Sequence, residues 1–390
     1  MAGFHTHKGR ATPGGTERFA ERQKAAPDFF TIAFPQEAMG STESGPADAL
    51  GLRISSIGLG TYLGHASDGA DDSYRRAIAA ALRGGINLLD TAINYRCMRS
   101  ERNIGDALEE LLHASELKRD EVFVSTKGGY VPYDSSPPRD HWAHLDQTVL
   151  RPGLAKEEEV VGGIHCLAPA YLRNQVETSL RNLRLETVDL YYLHNPEQQL
   201  DEADRKTFLR RMEAAFRLLE EMASRGKVGA YGVATWNGLR AGPEEPGHLS
   251  LAELVELAKR VGGPGHRFRA LQMPFNLAMA EAAFAPSQEV SGERVTLLEA
   301  ARKLGVAVFA SASILQGRLA GGLPPELAAL LPGLGSDAQR ALQFARSAPG
   351  VAAALVGMGR VEHVAHNLGL RGIPRAPASV LGRLADLSRR

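Results

Sequence analysis

From residue 52 onward the chain alternates between short apolar runs and stretches of helical periodicity. The apolar runs fall at 53–58, 86–89, 122–126, 188–193, 228–233, 270–273, 306–310 and 351–356, the first weaker than the rest. They show no strict two-residue alternation, as expected of strands covered on both faces. Between them lie stretches with apolar residues at helical spacing. These are 72–83 (with Tyr74, Ile78, Ala81 and Leu82), 101–113, 169–183, 204–225, 251–261, 292–304, 337–348 and 361–370. Ser100, Ser250 and Ser336 precede three of them as cap-like residues. Such alternation predicts a parallel sheet with right-handed crossovers, and the count fits a closed (β/α)8 TIM barrel of the α/β class.

Four segments depart from this rhythm. Residues 1–50 are rich in Gly, Pro, Thr and charge, with one apolar patch at 29–34, and read as an N-terminal extension ordered where that patch docks. The barrel then occupies 51–374, and 375–390 forms a C-terminal tail or helix. Within the barrel, 128–168 is a long loop after the third strand, carrying Tyr130, Tyr133, Trp142 and several prolines. Loops of that length in compact domains are functional or disordered; its aromatics, Trp142 and Tyr133 above all, are expected to line a substrate pocket. A smaller insertion covers 278–291.

Composition adds limits. Of 390 residues, 44% are hydrophobic and 23% charged, the balance of a soluble globular protein. Lys+Arg and Asp+Glu both total 45, which argues against a nucleic-acid binder. Cys97 and Cys166 are the only cysteines, too few for a disulfide framework. The N-terminal sequence lacks the apolar core of a signal peptide, and no run approaches the ~20 residues that span a bilayer. A cytoplasmic protein with no membrane association is expected.

Chemistry enters where the apolar runs stop. The second ends at Asp90, with Tyr95 five residues on; the third ends at Lys127 and the fourth at His194. In a parallel barrel all strand C-termini meet at one face, so these residues should converge. A phenol is a poor acid or base at neutral pH. A nearby ammonium lowers its pKa, a carboxylate holds that ammonium, and an imidazole orients a carbonyl oxygen. Such a tyrosine suits protonation of an alkoxide formed by hydride addition to a carbonyl, and hydride calls for a nicotinamide cofactor.

These residues stand in motifs. Gly58-Leu-Gly60-Thr61, Asp90-Thr-Ala-Ile-Asn-Tyr95 with Ser100-Glu101 and Gly105, Ser125-Thr126-Lys127, and Val188-Asp-Leu-Tyr-Tyr-Leu-His194 occur in that order at strand ends. From Leu52 to Leu370 the chain resembles the aldo-keto reductases. That resemblance implies Tyr95 as proton donor, Lys127 and Asp90 as its tuning pair, and His194 as the residue that positions a substrate carbonyl. It also implies a cofactor site of Gly60, Thr61, Asp90, Thr235, Asn237, Gln272 and Ser311. Thr235 or Asn237 replaces the family's Ser-Asn pair, Ser311 stands where a stacking tyrosine is common, with Phe309 nearby, and Asn276 matches its own motif. Leu315, Gly317 and Arg318 match the loop over the pyrophosphate. Gly357, Arg360, His363 and Asn367 match the adenosine-phosphate site at the last barrel helix, where a helix N-terminus favours phosphate. NADP(H) is the expected cofactor, with NAD(H) as the alternative, and no metal is expected. The partner is then a small carbonyl or alcohol: an aldehyde, ketone or sugar.

Other readings compete. Gly58-x-Gly60-x-x-x-Gly64 with Asp90 matches a Rossmann fingerprint in part, but a polar stretch, 65–71, intervenes where that fold starts a helix. His141, His144, His165 and Cys166 match no usual zinc spacing. Arg96 and Arg99 are either solvent-facing or bring positive charge to the mouth. Two functional rivals remain: a cofactor-binding regulatory subunit with little turnover, and a barrel lyase or epimerase that uses Tyr95 and Lys127 without nicotinamide.

Overall fold

The computed structural model describes residues 6–34 and 51–388. The rest of the 1–50 extension and the last two residues of the tail lie outside the described residues. Eight parallel strands close into a barrel: Ile57–Gly60, Leu88–Asp90, Phe123–Gly128, Val188–His194, Val228–Ala234, Phe268–Pro274, Ala307–Ser311 and Val351–Gly357. They neighbour one another in chain order, and the eighth pairs with the first.

The strands bury both faces. Leu88, Phe123, Leu190, Tyr192, Phe309 and Leu355 fill the barrel interior. Leu89, Val124, Tyr191, Leu193 and Val308 pack in the layer shared with the helices. This explains the unbroken apolar runs. The register brings polar strand ends to one level, with Gly60 opposite Asp90, Asp90 opposite Ser125, and His194 opposite Ala234.

Three expectations about elements change. The weak run 53–58 is two strands. Leu52–Ser55 pairs antiparallel with Phe30–Ala33, and the barrel strand begins only at Ile57. The break is fixed by side chains: Ser55 N donates to Asn87 Oδ1, and Ser56 N donates to the Phe29 carbonyl. The helix expected over 292–304 begins at Leu297. Thr296 and Glu299 form a capping box there, and the residues before it form a hairpin, Gln288–Val290 with Glu293–Val295. Ser100 is not a cap: the helix Arg99–His113 already contains it, and its hydroxyl donates to the Thr61 carbonyl.

The extension is more structured than its composition suggests. Pro13–Arg22 is a helix whose N-cap Thr12 accepts from Gly15 N, with Pro13 at the first helical position. Together with the added strand pair it closes the N-terminal end of the barrel. Ala11, Ala33, Phe34, Leu52 and Ile54 join the interior core, and the Phe34 and Phe123 rings lie 6.2 Å apart. Asp189 anchors this end: it accepts from Ala11 N (2.6 Å), Val124 N (2.8 Å) and Arg119 Nη2 (2.7 Å). At the C-terminus, Ala378–Ser388 is a helix.

The long loop carries a core of its own, built from Val131, Leu145, Val149, Val160, Cys166 and Tyr171. A short helix, His141–Leu145, and a two-strand ribbon, Val160–Val161 with His165–Cys166, organise it. No helix among the described residues is long and apolar enough to cross a membrane.

Candidate active site

At the C-terminal mouth of the barrel a cavity of about 310 Å³ opens. Asp90, Tyr95, His194, Thr235 and Gln272 line it, with Gly60, Thr61, Ser311 and Gly357. Lys127 lies beneath, fully buried. Its Nζ donates to Asp90 Oδ2 at 2.6 Å and to the Thr91 carbonyl at 2.8 Å, and stands 4.8 Å from the Tyr95 ring centre. Asp90 is held in turn: its Oδ1 accepts from Ser125 Oγ and from Gln272 Nε2, each at 2.8 Å. The Tyr95 and His194 rings meet edge to face at 5.8 Å. The four residues expected to converge do so.

Their electrostatics differ from the expectation in one respect. Burial drives Tyr95 above the ordinary phenol value, and Lys127 opposes this without reversing it. Tyr95 therefore keeps its proton at neutral pH. Burial lowers the Lys127 pKa, but Asp90 and then Tyr95 outweigh it and hold the pKa above the ordinary lysine value. His194 is driven well below its ordinary value by burial, with Lys127 adding to the effect, so its imidazole is neutral. A neutral imidazole can donate to a carbonyl oxygen without surrendering a formal charge.

The motif residues divide between the site and its frame. Thr61 Oγ1 donates to the Asp90 carbonyl, and Glu101 accepts from Thr126 Oγ1 and Asn182 Nδ2, so the Ser-Glu pair ties a helix to the strands. Gly58 faces the interior, where a Cβ would meet Leu88 and Leu355 side-chain atoms at 2.6 and 2.7 Å.

The expected cofactor residues are spread more widely. Thr235 Oγ1 is buried at the cavity wall and has no partner. Asn237 is turned away and accepts from Arg240 Nη2. Leu315, Gly317 and Arg318 lie in the short turn after the seventh strand, and of that turn Gln316 is the residue that lines the cavity. Phe309 stacks on Phe123 in the barrel interior, away from the mouth. Asn276 caps its own turn, accepting from Ala278 N. Arg360 and His363 are exposed, 3.3 Å apart, at the start of the helix Val361–Asn367, and Asn367 is buried in its last turn.

Further residues complete the wall, among them Tyr130, one of the loop aromatics named from the sequence, and Tyr62, Asn94 and Asn195, to which the sequence assigned no site role. Trp236 lines the cavity as well. Asn195 directly follows His194, and Pro196 after it marks the strand end; that was its only signal. Of the long loop's aromatics it is Tyr130 that reaches the cavity. Trp142 is 63% exposed and rests on Gly163, while Tyr133 packs against His141 and His144. The loop histidines have separate partners: His141 contacts the Gly163 carbonyl, His144 that of Pro132 and His165 that of His194.

Arg96 and Arg99 neither face solvent nor charge the mouth. The Arg96 side chain is 1% exposed, pairs with Asp71 at 2.6 Å and lies over the Tyr74 ring. Arg99 contacts Asp71, Asp68 and the Ser135 carbonyl. Together they clamp a turn in which Arg96, Cys97 and Met98 all have left-handed φ angles (49°, 57° and 64°).

Acid–base chemistry on a parallel barrel is the class that this mouth defines. Within it, the chain belongs to the aldo/keto reductase family, whose profile matches residues 56–322. It is 30% identical over 200 residues to D-threo-aldose 1-dehydrogenase from a Pseudomonas species, covering 50% of this chain and 54% of that one. To glycerol 2-dehydrogenase (NADP(+)) of Hypocrea jecorina it is 25% identical over 200 residues, covering 48% and 50%. The chain thus spans about half the length of the curated relatives it matches. An aldo/keto reductase from Klebsiella pneumoniae, solved with NADP and acetate, shares the fold with a TM-score of 0.58 at 20% identity, covering 87% and 93%.

Proposed function

We propose that the protein interconverts a small carbonyl compound and its alcohol with NADP(H), Tyr95 supplying the proton. The observation that carries this reading is the buried Asp90–Lys127 pair set against the Tyr95 ring beside a neutral His194. NADP(H), when bound, would supply or accept the hydride. His194 would donate to the carbonyl oxygen and orient it, and Tyr95 would give that oxygen its proton as negative charge develops. Lys127 would stabilise the phenolate left behind. Asp90, fixed by Ser125 and Gln272, keeps Lys127 in place.

The residues present fit the cofactor. The cavity floor at Gly60 and Gly357 has no side chains, and Thr235 offers an unpartnered hydroxyl. Gln272 commits its amide N–H to Asp90, which leaves its carbonyl oxygen as an acceptor. With Thr61 and Ser311 these would hold the nicotinamide end, Thr235 rather than Asn237 replacing the missing amide. Leu315, Gly317 and Arg318 would flank the pyrophosphate. Arg360, His363 and Asn367 would serve the adenosine phosphate, the Arg360 guanidinium favouring NADP(H) over NAD(H). The names of the Hypocrea relative and the Klebsiella complex support this choice. We also assign the protein to the cytoplasm, where its free cysteines, Cys97 and Cys166, would stay reduced.

The test is cofactor oxidation by the purified protein over a panel of aldehydes, ketones and sugars, with NADPH and NADH in parallel. Multiple turnovers with at least one carbonyl are expected, and faster with NADPH. Binding without turnover would mean a regulatory subunit. Turnover of a substrate without cofactor would mean a lyase or epimerase.

A further inference from the structure

The long loop leaves one polar group in the cavity that the reaction above does not use. Tyr130 lies two residues past the third strand, and its ring stands edge to face against both His194 and His165, at 5.0 Å each. Its backbone is fixed on every side. The Tyr130 carbonyl accepts from Tyr171 Oη at 2.9 Å and Gln175 Nε2 at 2.7 Å. Gly129 N donates to Gln175 Oε1, and Val131 N donates to the Ile164 carbonyl. The ring is thus held beside the imidazole that would orient the carbonyl, and the loop does the holding.

Among the described residues the hydroxyl of Tyr130 has one hydrogen-bond partner, Asn195 Nδ2, which donates to it at 3.0 Å. An oxygen that accepts from an amide keeps its own O–H for another acceptor. Burial raises the Tyr130 pKa, so that proton stays on the phenol. Asn195, held at a left-handed φ of 45° next to His194, fixes the direction of the phenol. Elsewhere on the cavity lining, Asn94 Oδ1 is buried with no hydrogen-bond partner among the described residues and offers an acceptor. A donor and an acceptor of this kind match a substrate hydroxyl, which is both.

We propose that Tyr130 is a specificity-determining residue. Its hydroxyl donates to an oxygen on the carbon next to the reacting carbonyl, so the preferred substrates are α-hydroxyaldehydes, α-hydroxyketones and open-chain sugars. This rests on the reductase reading. A substrate lacking that oxygen would leave the phenol's donor and Asn94's acceptor unpaired in a confined site, and the penalty for an unpaired buried group is what separates the two substrates.

The test compares 2-hydroxypropanal with propanal, which differ by that one hydroxyl, using NADPH and both wild type and Tyr130→Phe. Wild type is expected to favour 2-hydroxypropanal in kcat/KM. Tyr130→Phe should lower that preference by about tenfold, the scale of one lost hydrogen bond with its partner stranded. Asn195→Leu, which frees the phenol to rotate, should lower the same ratio. Quenching of tryptophan fluorescence by NADPH and the melting temperature report that each variant is folded and binds cofactor. Equal preference in wild type, or an unchanged ratio in a folded Tyr130→Phe, overturns the inference alone. No oxidation of NADPH by wild type with any carbonyl overturns the reductase reading and this inference with it.

Discussion

Lys127 Nζ lies 2.6 Å from Asp90 Oδ2 at the base of the mouth, and neither group reaches solvent appreciably. A buried ion pair is a weak source of net stability, because desolvation of both charges offsets their attraction. Its placement under Tyr95 makes sense as a fixed positive charge facing a phenol. Replacing Lys127 by Met should cost about 3–5 kcal/mol of stability, since Asp90 would be left charged and unpaired. Urea unfolding at neutral pH measures this. Lys127→Met with Asp90→Leu should recover part of the loss without recovering activity.

Tyr95→Phe removes the hydroxyl proposed as proton donor and little else. Turnover should fall on the order of 10²–10⁴-fold, the usual contribution of a positioned acid. NADPH titration against tryptophan fluorescence should give unchanged affinity. Retained turnover would refute the role of Tyr95.

Acid should destabilise the fold through buried histidines. His165 is pushed down to about 4 by burial, even though its Nε2 contacts the His194 carbonyl. Above its unfolded value of about 6.5 the group is neutral in both states and contributes no pH dependence. As pH falls from 6.5 to 4, the unfolded chain takes up a proton that the folded chain refuses, so stability drops by about 3 kcal/mol for this residue. Unfolding midpoints at pH 7.5, 6 and 4.5 should decline in that order. The decline should be shallower in His165→Gln.

Arg96→Ala should lower stability and leave substrate preference alone. The guanidinium is spent on Asp71, on the His65 carbonyl and on the Tyr74 face, none of which lines the cavity. A loss of about 2 kcal/mol is expected, since Arg99 still faces Asp71. A changed ranking of substrates would show that its charge reaches the mouth after all.

Asp189→Asn tests the far end of the barrel. It leaves the Arg119 guanidinium buried with its carboxylate partner gone, at a cost of about 3–5 kcal/mol. NADPH binding at the mouth should survive at temperatures where the variant stays folded.

The barrel and its acid–base residues were legible because each sits where an apolar run stops, and a parallel barrel sends every such stop to one face. Asp90, Lys127 and His194 needed no more than that. Asp189 shows the limit: it belongs to the same motif as His194, yet it anchors the opposite end, and only the direction of the strand distinguishes the two. Tyr130 could not be told from the loop's other aromatics, Trp142 and Tyr133, for another reason. Its ring is placed by a bridge to His165, thirty-five residues away, and local periodicity carries no trace of such a contact. The helix Pro13–Arg22 was missed because Gly14 and Gly15 lower its helical propensity; packing and the Thr12 cap override that. Arg96 and Arg99 read as solvent-facing charge or as charge for the mouth because their acidic partners, Asp68 and Asp71, lie in the first turn of the helix Asp68–Gly84, ahead of the 72–83 stretch and beyond the reach of a local reading.

The strand pair and helix that close the N-terminal end of the barrel place residues 6–34 on the side away from the cavity. Tethering the protein to a bead or electrode through the exposed face of the helix Pro13–Arg22 would therefore present the mouth to the solution. A tether near Trp142 or Ile164, on the loop that carries Tyr130, would crowd the substrate's approach. The molecule has, in effect, a handle at one end and an opening at the other.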